Sequence, residues 1–239
     1  MHKPSGYLIL EHLSDIELYF TPPAFVKEEK LFLLDEELHH SVNVMRNSVG
    51  DTIYVTDGKG SIYTSEITEL KKKELIAKIT DKKEFKNKAE KIWFCIPLLK
   101  SPDRLKFAFE KCVELGITNF ILFQSRFSIP KKLETEKFQK TTLAAMKQSL
   151  RTFLPKITSS GFNEIVNLKE TKILFDQNVK RVFDGELNFN ESIYFIFGPE
   201  GGFDDDEIAT IGLNNRFNLS TNRLRSETAI IRCASLLNL

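Results

Sequence analysis

The sequence predicts an α/β fold in two parts, a small β-barrel followed by a parallel sheet covered by helices. Three observations lead there. Alternating apolar and polar residues crowd the first third, around Asp57-Gly58 and Lys59-Gly60, which is hairpin patterning. Composition then shifts at residues 84–91, EFKNKAEK. Beyond it, short apolar runs alternate with segments of helical period, as in βα units whose sheet is buried on both faces.

The elements follow in order. Residues 1–14 precede the first credible strand and read as an extension. Residues 15–85 form the barrel. In it, IELYFTPPAF is a strand stopped by Pro22-Pro23, Glu36 to Met45 has helical spacing, and DTIYVTDGKGSIYTSEITEL and KKKELIAKIT supply further strands. Residues 91–239 form the second domain. IWFCIPLL reads as a buried strand. SPDRLKFAFEKCVELG reads as a helix with Ser101 as N-cap, Pro102 in its first turn and Gly116 as its stop. NFILF is a strand, and TEKFQKTTLAAMKQSLRTFL a helix ending before Pro155. EIVNL and KILF are expected as short strands and SIYFIF as a strand. DDDEIATIG is a helix, FNLS a strand and SETAIIRCASLLNL a last helix, capped by Ser226.

A chain of 239 residues is long enough for a substantial core. Its 41% hydrophobic and 28% charged residues are those of a water-soluble globular protein. No apolar run is long enough to span a bilayer and no secretory signal is legible, so a cytoplasmic location without a membrane partner is expected. Cys95, Cys112 and Cys233 lie far apart in apolar contexts with no C-x-x-C spacing, which suggests buried thiols and no metal site. A net charge of +1 announces no nucleic-acid partner, yet residues 71–91 hold nine lysines against four acidic residues. That stretch is either a solvated surface or a stripe facing phosphates.

Two late stretches carry chemistry. In IYFIFGPEGGFDDDE (193–207) a buried strand runs into Gly198-Pro199-Glu200-Gly201-Gly202. Ligands of open parallel sheets bind beyond the carboxyl ends of strands. A turn without side chains lets a ligand touch bare backbone, and Pro199 stiffens it. Neither dinucleotide nor P-loop spacing is present. The acidic run Asp204–Asp206 beside the turn favours a cationic ligand over a phosphate, although a plain strand-to-helix connection would look the same. The second stretch, LSTNRLRSETAI (219–230), presents Arg223 and Arg225 around Leu224 in a loop before the last helix.

FGPEGGF at 197–203 and LRSETAI at 224–230 resemble the bacterial 16S rRNA (uracil-N3)-methyltransferase family of the RsmE type, in the SPOUT class. HHSVNVMRNSVGD at 39–51, Lys100 with Asp103-Arg104, KCVELGI at 111–117 and AAMKQSLRTFLP at 144–155 are similar to further stretches of that family, so the likeness covers about residues 15–239. It implies a PUA-like barrel ahead of a methyltransferase domain with a deep trefoil knot, and a homodimer. It implies that S-adenosyl-L-methionine lies against Phe197, Gly198, Pro199, Glu200, Gly201, Gly202, Leu219, Ser220, Leu224, Arg225 and Ser226, with Phe175 and Asp176 nearby. Ser220 stands where the family often has glycine, and Lys147 where it has glutamate. The implied reaction is methyl transfer to N3 of a uridine in 16S rRNA. Arg225 is the candidate to stabilise the uracil anion and Glu200 a candidate base. Arg46, Lys100, Arg104, Arg126, Gln148 and Arg151 are the expected RNA contacts. A ribose 2′-O-methyltransferase of the same fold and a non-catalytic RNA-binding protein are the alternatives.

Overall fold

The computed structural model describes residues 16–128, 135–186, 190–211 and 213–239. The extension expected at residues 1–14 lies outside the described residues. The chain divides into two units. The first takes the residues up to Lys86 together with Met146–Phe153, and the second takes Asn87–Ala145 and Leu154–Leu239.

In chain order the first unit contains β1 (Leu18–Phe20), β2 (Val26–Lys27), β3 (Lys30–Leu34), α1 (Asp35–His39), β4 (Thr52–Thr56), β5 (Ser61–Leu70) and β6 (Glu74–Glu84). The strands form one sheet in the order β1-β4-β5-β6-β3-β2. β1 runs parallel to β4, and the other neighbours are antiparallel. Alternate residues Leu31 and Leu33, Ile53 and Val55, and Leu75 and Ala77 point into a common core with Tyr19 and Ile67. Thr21, just past β1, donates its hydroxyl to the Phe32 carbonyl of β3 at 2.6 Å. Three strands separate β1 from β3 in the sheet, so this bond requires the sheet to curl round on itself. The barrel shape comes from curling and a side-chain bond, with no ladder joining β1 to β3.

The hairpin signal reflects real turn chemistry. The Asp57 carboxylate accepts from the Lys59 and Ser61 amides at 2.7 and 3.2 Å, and Gly58 and Gly60 have φ of +70° and +106°. Gly60 is also pinned from outside its hairpin. Its amide donates to the Thr152 carbonyl at 3.0 Å, and a Cβ added to it would lie 2.6 Å from the Phe153 ring. The helix expected from Glu36 to Met45 is α1 followed by a π-helical turn, His40–Val44, closed by Met45 N–H on the His40 carbonyl at 3.0 Å. Arg46 follows with φ of +60°. Asn47 then donates to Tyr19 Oη at 2.9 Å and Ser41 Oγ at 3.0 Å, which fixes the strained turn against the core.

The remaining elements are β7 (Ile92–Pro97), α2 (Pro102–Glu114), β8 (Asn119–Gln124), α3 (Glu136–Gln148), β9 (Lys156–Gly161), α4 (Phe162–Val166), β10 (Thr171–Phe175), β11 (Ile193–Ile196), α5 (Asp205–Ile211), β12 (Arg216–Phe217) and α6 (Ser226–Leu236). The six strands form a parallel sheet ordered β12-β10-β11-β7-β8-β9. Its core is aromatic: Phe175 stacks on Phe195 and Phe197, and Phe94 meets the same two rings at 5.5 and 5.1 Å. Ser101 caps α2 as expected, accepting from the Arg104 amide at 3.4 Å, and Gly116 ends it with φ of +98°. Among the described residues no helix is long and apolar enough to cross a membrane.

Four local expectations are corrected. EIVNL is not a strand: it lies in and just past α4, because Phe162, Ile165 and Val166 are buried at helical spacing and Glu164 closes the start by accepting from the Gly161 amide at 3.0 Å. The edge strand precedes it, as β9. α3 stops at Gln148, well short of Pro155, because Leu150 enters the left-handed region at φ +55°. FNLS shrinks to the two-residue strand β12, which starts at Arg216. Finally, Ser226 does not cap α6; Arg225 holds the N-cap position and Ser226 is the first helical residue.

Candidate functional site

β12, β10 and β11 are adjacent and parallel, so their carboxyl ends open side by side. The loops that leave them enclose a cavity of about 660 Å³, within the range that holds small ligands. Phe175 ends β10 and Asp176–Asn178 follow it, Phe197–Phe203 follow β11, and Asn218, Leu219 and Asn222–Arg225 follow β12 and lead to Ser226 at the start of α6. Arg104 of α2, Ile208 of α5 and Ala229 of α6 complete the wall.

Each loop is held by bonds its sequence dictates. Gly202 turns back with its amide on the Pro199 carbonyl at 2.9 Å, at a φ of +73° that a side chain would strain. A Cβ on Gly198 would crowd the Phe203 ring at 3.1 Å, and one on Gly201 would press on Phe127 at 3.0 Å. The hydroxyl of Ser226 donates to the Gly198 carbonyl at 2.6 Å and so ties the loop after β12 to the loop after β11. Arg232 Nε donates to the Leu219 carbonyl at 2.6 Å and anchors the start of that second loop. Buried Asp176 pairs with the Arg216 guanidinium and accepts from the Asn178 amide at 2.9 Å, which shapes the third.

Ten of the eleven residues expected around the donor line this cavity: Phe197, Gly198, Pro199, Glu200, Gly201, Gly202, Leu219, Leu224, Arg225 and Ser226. Ser220 does not. It folds into its own turn, its amide on Asn218 Oδ1 and its hydroxyl accepting from the Asn222 amide, both at 3.2 Å. Glu200 lines the cavity but its carboxylate accepts from the Lys100 amide at 3.0 Å, bracing the loop after β7. Arg225 is exposed and makes no capping bond, which leaves its guanidinium available to a ligand.

The acidic run serves a different place. Asp204, Asp206 and Glu207 border a second groove of about 510 Å³ with Arg126, Gln124 and the start of α4. Arg126 Nη1 donates to Asp204 at 2.8 Å and its amide to Glu207 at 3.1 Å. The Glu207 amide, at 2.7 Å, and the Arg126 guanidinium together hold the Asp204 carboxyl below the usual aspartate range. Acidity in the main cavity therefore comes from Asp176 and Glu200, not from the run at 204–206.

The remaining expected RNA contacts divide between the units. Arg104 is at the cavity and exposed Lys100 just before α2. Arg46, Gln148 and Arg151 belong to the first unit, where burial lowers the pKa of Arg151. Sequence reasoning missed Asn178, Asn218 and Arg232. Their signal was only their place, within three residues of a strand end or nearly two turns inside a helix.

Two family profiles match. One, described as an RNA methyltransferase domain, covers residues 86–238, and the other, an RNA methyltransferase PUA domain, covers residues 33–80. The chain is 26% identical to Ribosomal RNA small subunit methyltransferase E of Bacillus subtilis over 230 residues, 85% of this chain and 87% of that one. It is 24% identical to the protein of the same name from Rickettsia conorii, over 82% of this chain and 84% of that one. The crystal structure of Ribosomal RNA small subunit methyltransferase E from Neisseria gonorrhoeae bound to S-adenosyl methionine superposes with a TM-score of 0.80 at 25% identity, covering 92% of this chain and 95% of that one. With a cavity walled in part by glycine backbone at the ends of three parallel strands, and a methyltransferase profile that fits the larger part of the chain, this protein belongs to the RNA methyltransferase family.

Proposed function

We propose that this chain methylates N3 of a uridine in 16S rRNA, using S-adenosyl-L-methionine. The observation that carries the reading is the Ser226–Gly198 bond, which joins the two side-chain-poor loops around one cavity. The cavity fits that donor: its volume suits a nucleoside-sized ligand, Gly198–Gly202 offer backbone at close range, and Asp176 and Glu200 set two carboxylates among the arginines of its wall. Bound there, the donor supplies an electrophilic methyl group on a sulfonium centre.

The chain's own part is positioning and charge. Phe197, Leu219 and Leu224 give the cavity apolar wall that excludes water. Holding both reactants in line converts a bimolecular encounter into a local one. Uracil must pass its N3 proton to a base as the methyl arrives, with the Glu200 carboxylate as the candidate acceptor, and Arg225 at the wall stabilises the developing anion at a carbonyl oxygen. Glu200 already accepts the Lys100 amide, which makes it a brace before it is a base. The same reading takes the tied loops as a trefoil knot, the enzyme as a cytoplasmic homodimer, and residues 15–85 as an RNA-binding PUA-like domain.

The test is to incubate purified protein with labelled donor and small ribosomal subunits, then digest the rRNA and resolve its nucleosides by mass spectrometry. We expect 3-methyluridine. A ribose-methylated nucleoside, or failure to bind the donor in calorimetry, would overturn the proposal. Arg225→Ala should lower turnover about 100-fold with an unchanged melting temperature, because its exposed side chain holds no cap; near-normal turnover would remove Arg225 from the mechanism.

A further inference from the structure

Glu227 is the one carboxylate in the first turn of α6, and its side chain is only 10% exposed. One oxygen, Oε1, lies 3.6 Å from Arg104 Nε, within ion-pair range but beyond a hydrogen bond. The other, Oε2, is buried and has no hydrogen-bond partner among the described residues. A buried carboxylate so poorly satisfied is costly to keep, so its use is sought in what it holds.

Arg104 sits in the first turn of α2, where the helix dipole is unfavourable to a cation. Glu227 sits in the first turn of α6, where the dipole favours an anion. The pair therefore compensates a charge that α2 alone would repel. Arg104 lines the donor cavity with its side chain 42% exposed. Glu227 takes the Nε edge of the guanidinium, and among the described residues no carboxylate pairs with the two terminal nitrogens. Those two nitrogens form a fork suited to an oxyanion.

We propose that Glu227 is a positioning residue that holds Arg104 at the cavity mouth to grip a backbone phosphate of the RNA substrate. This rests on the function proposed above. The donor's own carboxylate has the same oxyanion chemistry, but the exposure of Arg104 favours a ligand arriving from solvent.

The experiment is RNA binding by the full-length protein at several salt concentrations, using an rRNA fragment, with donor calorimetry alongside. Glu227→Gln keeps size and removes charge. We expect about tenfold weaker RNA binding, the scale on which neighbouring charged groups couple. The slope of log affinity against log salt should fall by about one contact, with donor affinity unchanged. Arg104→Ala should lose RNA affinity and salt slope to the same extent, and the double variant should bind RNA no worse than Arg104→Ala alone. Arg104→Lys keeps the charge but has no Nε for Glu227, so it should bind RNA as weakly as Glu227→Gln and decides the matter if that variant does not fold. Wild-type RNA affinity in Glu227→Gln and in Arg104→Lys, additive losses in the double variant, or a loss confined to donor binding would each overturn the proposal. Wild-type protein that binds neither donor nor RNA would instead overturn the functional reading beneath it.

Discussion

Gly198 and Gly202 both suit the turn after β11, for different reasons. Gly198 is tightly packed, since the Phe203 ring stands 3.1 Å from where a Cβ would be. Gly202 has open space but a φ of +73°. Gly202→Ala should therefore lose about 1 kcal/mol through backbone strain alone, measured by urea denaturation. Gly50→Ala, at φ +96° with equally open surroundings, should lose a similar amount. Only the first should weaken donor binding in calorimetry, and equal donor affinity in both would separate the turn from the ligand. Asp204 gives a residue-scale prediction about pH. Its folded carboxyl is held below the usual range by the Glu207 amide and Arg126. It therefore adds stability that is complete above roughly pH 4, the ordinary aspartate value, and is lost as pH falls through the depressed folded value. In Asp204→Asn the acid side of the stability profile should be shallower. An unchanged acid arm would mean that Asp204 is not held in this way.

Among elements, the loops after β11 and β12 matter most, and one hydroxyl joins them. Ser226→Ala should cost about 1 kcal/mol, the net worth of a hydrogen bond, and should weaken donor binding because the two loops then move separately. Donor affinity equal to wild type would show that the tie is incidental. Most elements were legible in the sequence: the fully apolar β7 and β11, the Asp-Gly hairpin, and the Ser-Pro start and Gly stop of α2 all declare themselves locally. α4 was not, because five residues give too few turns for a period, and its cap is Glu164 reaching back to a glycine amide. The cavity wall was legible where motifs supplied it. It was not at Asn178 and Asn218, which reach the site only because β10 and β12 end beside each other. Ser226 reads as an N-cap in any sequence; only the spatial closeness of Gly198 gives its hydroxyl a different use.

At the scale of the molecule, the division into two units should be visible in unfolding. Trp93 of β7 is the single tryptophan and reports the second unit, whereas far-ultraviolet circular dichroism reports both. Phe153 packs against Gly60 in the first unit. Phe153→Ala should cost roughly 2–3 kcal/mol, below the range for a fully buried ring. It should lower a dichroism transition while leaving the Trp93 fluorescence transition in place. Coincident shifts of both signals would mean that the chain melts as one cooperative body.

The first unit is also discontinuous in the chain, because Met146–Phe153 return to it after the second has begun. A nascent polypeptide emerges in one direction. With Lys86 already outside the ribosome, Gly60 still waits for Thr152 and Phe153, a delay of about 3–13 s at ordinary elongation rates. During that interval the half-finished N-terminal sheet has an unsealed hairpin, and the residues that will seal it, a few positions past the end of α3, have still to be translated. Maturation of this protein is thus braided in time: its first part is finished only after its second part is under way.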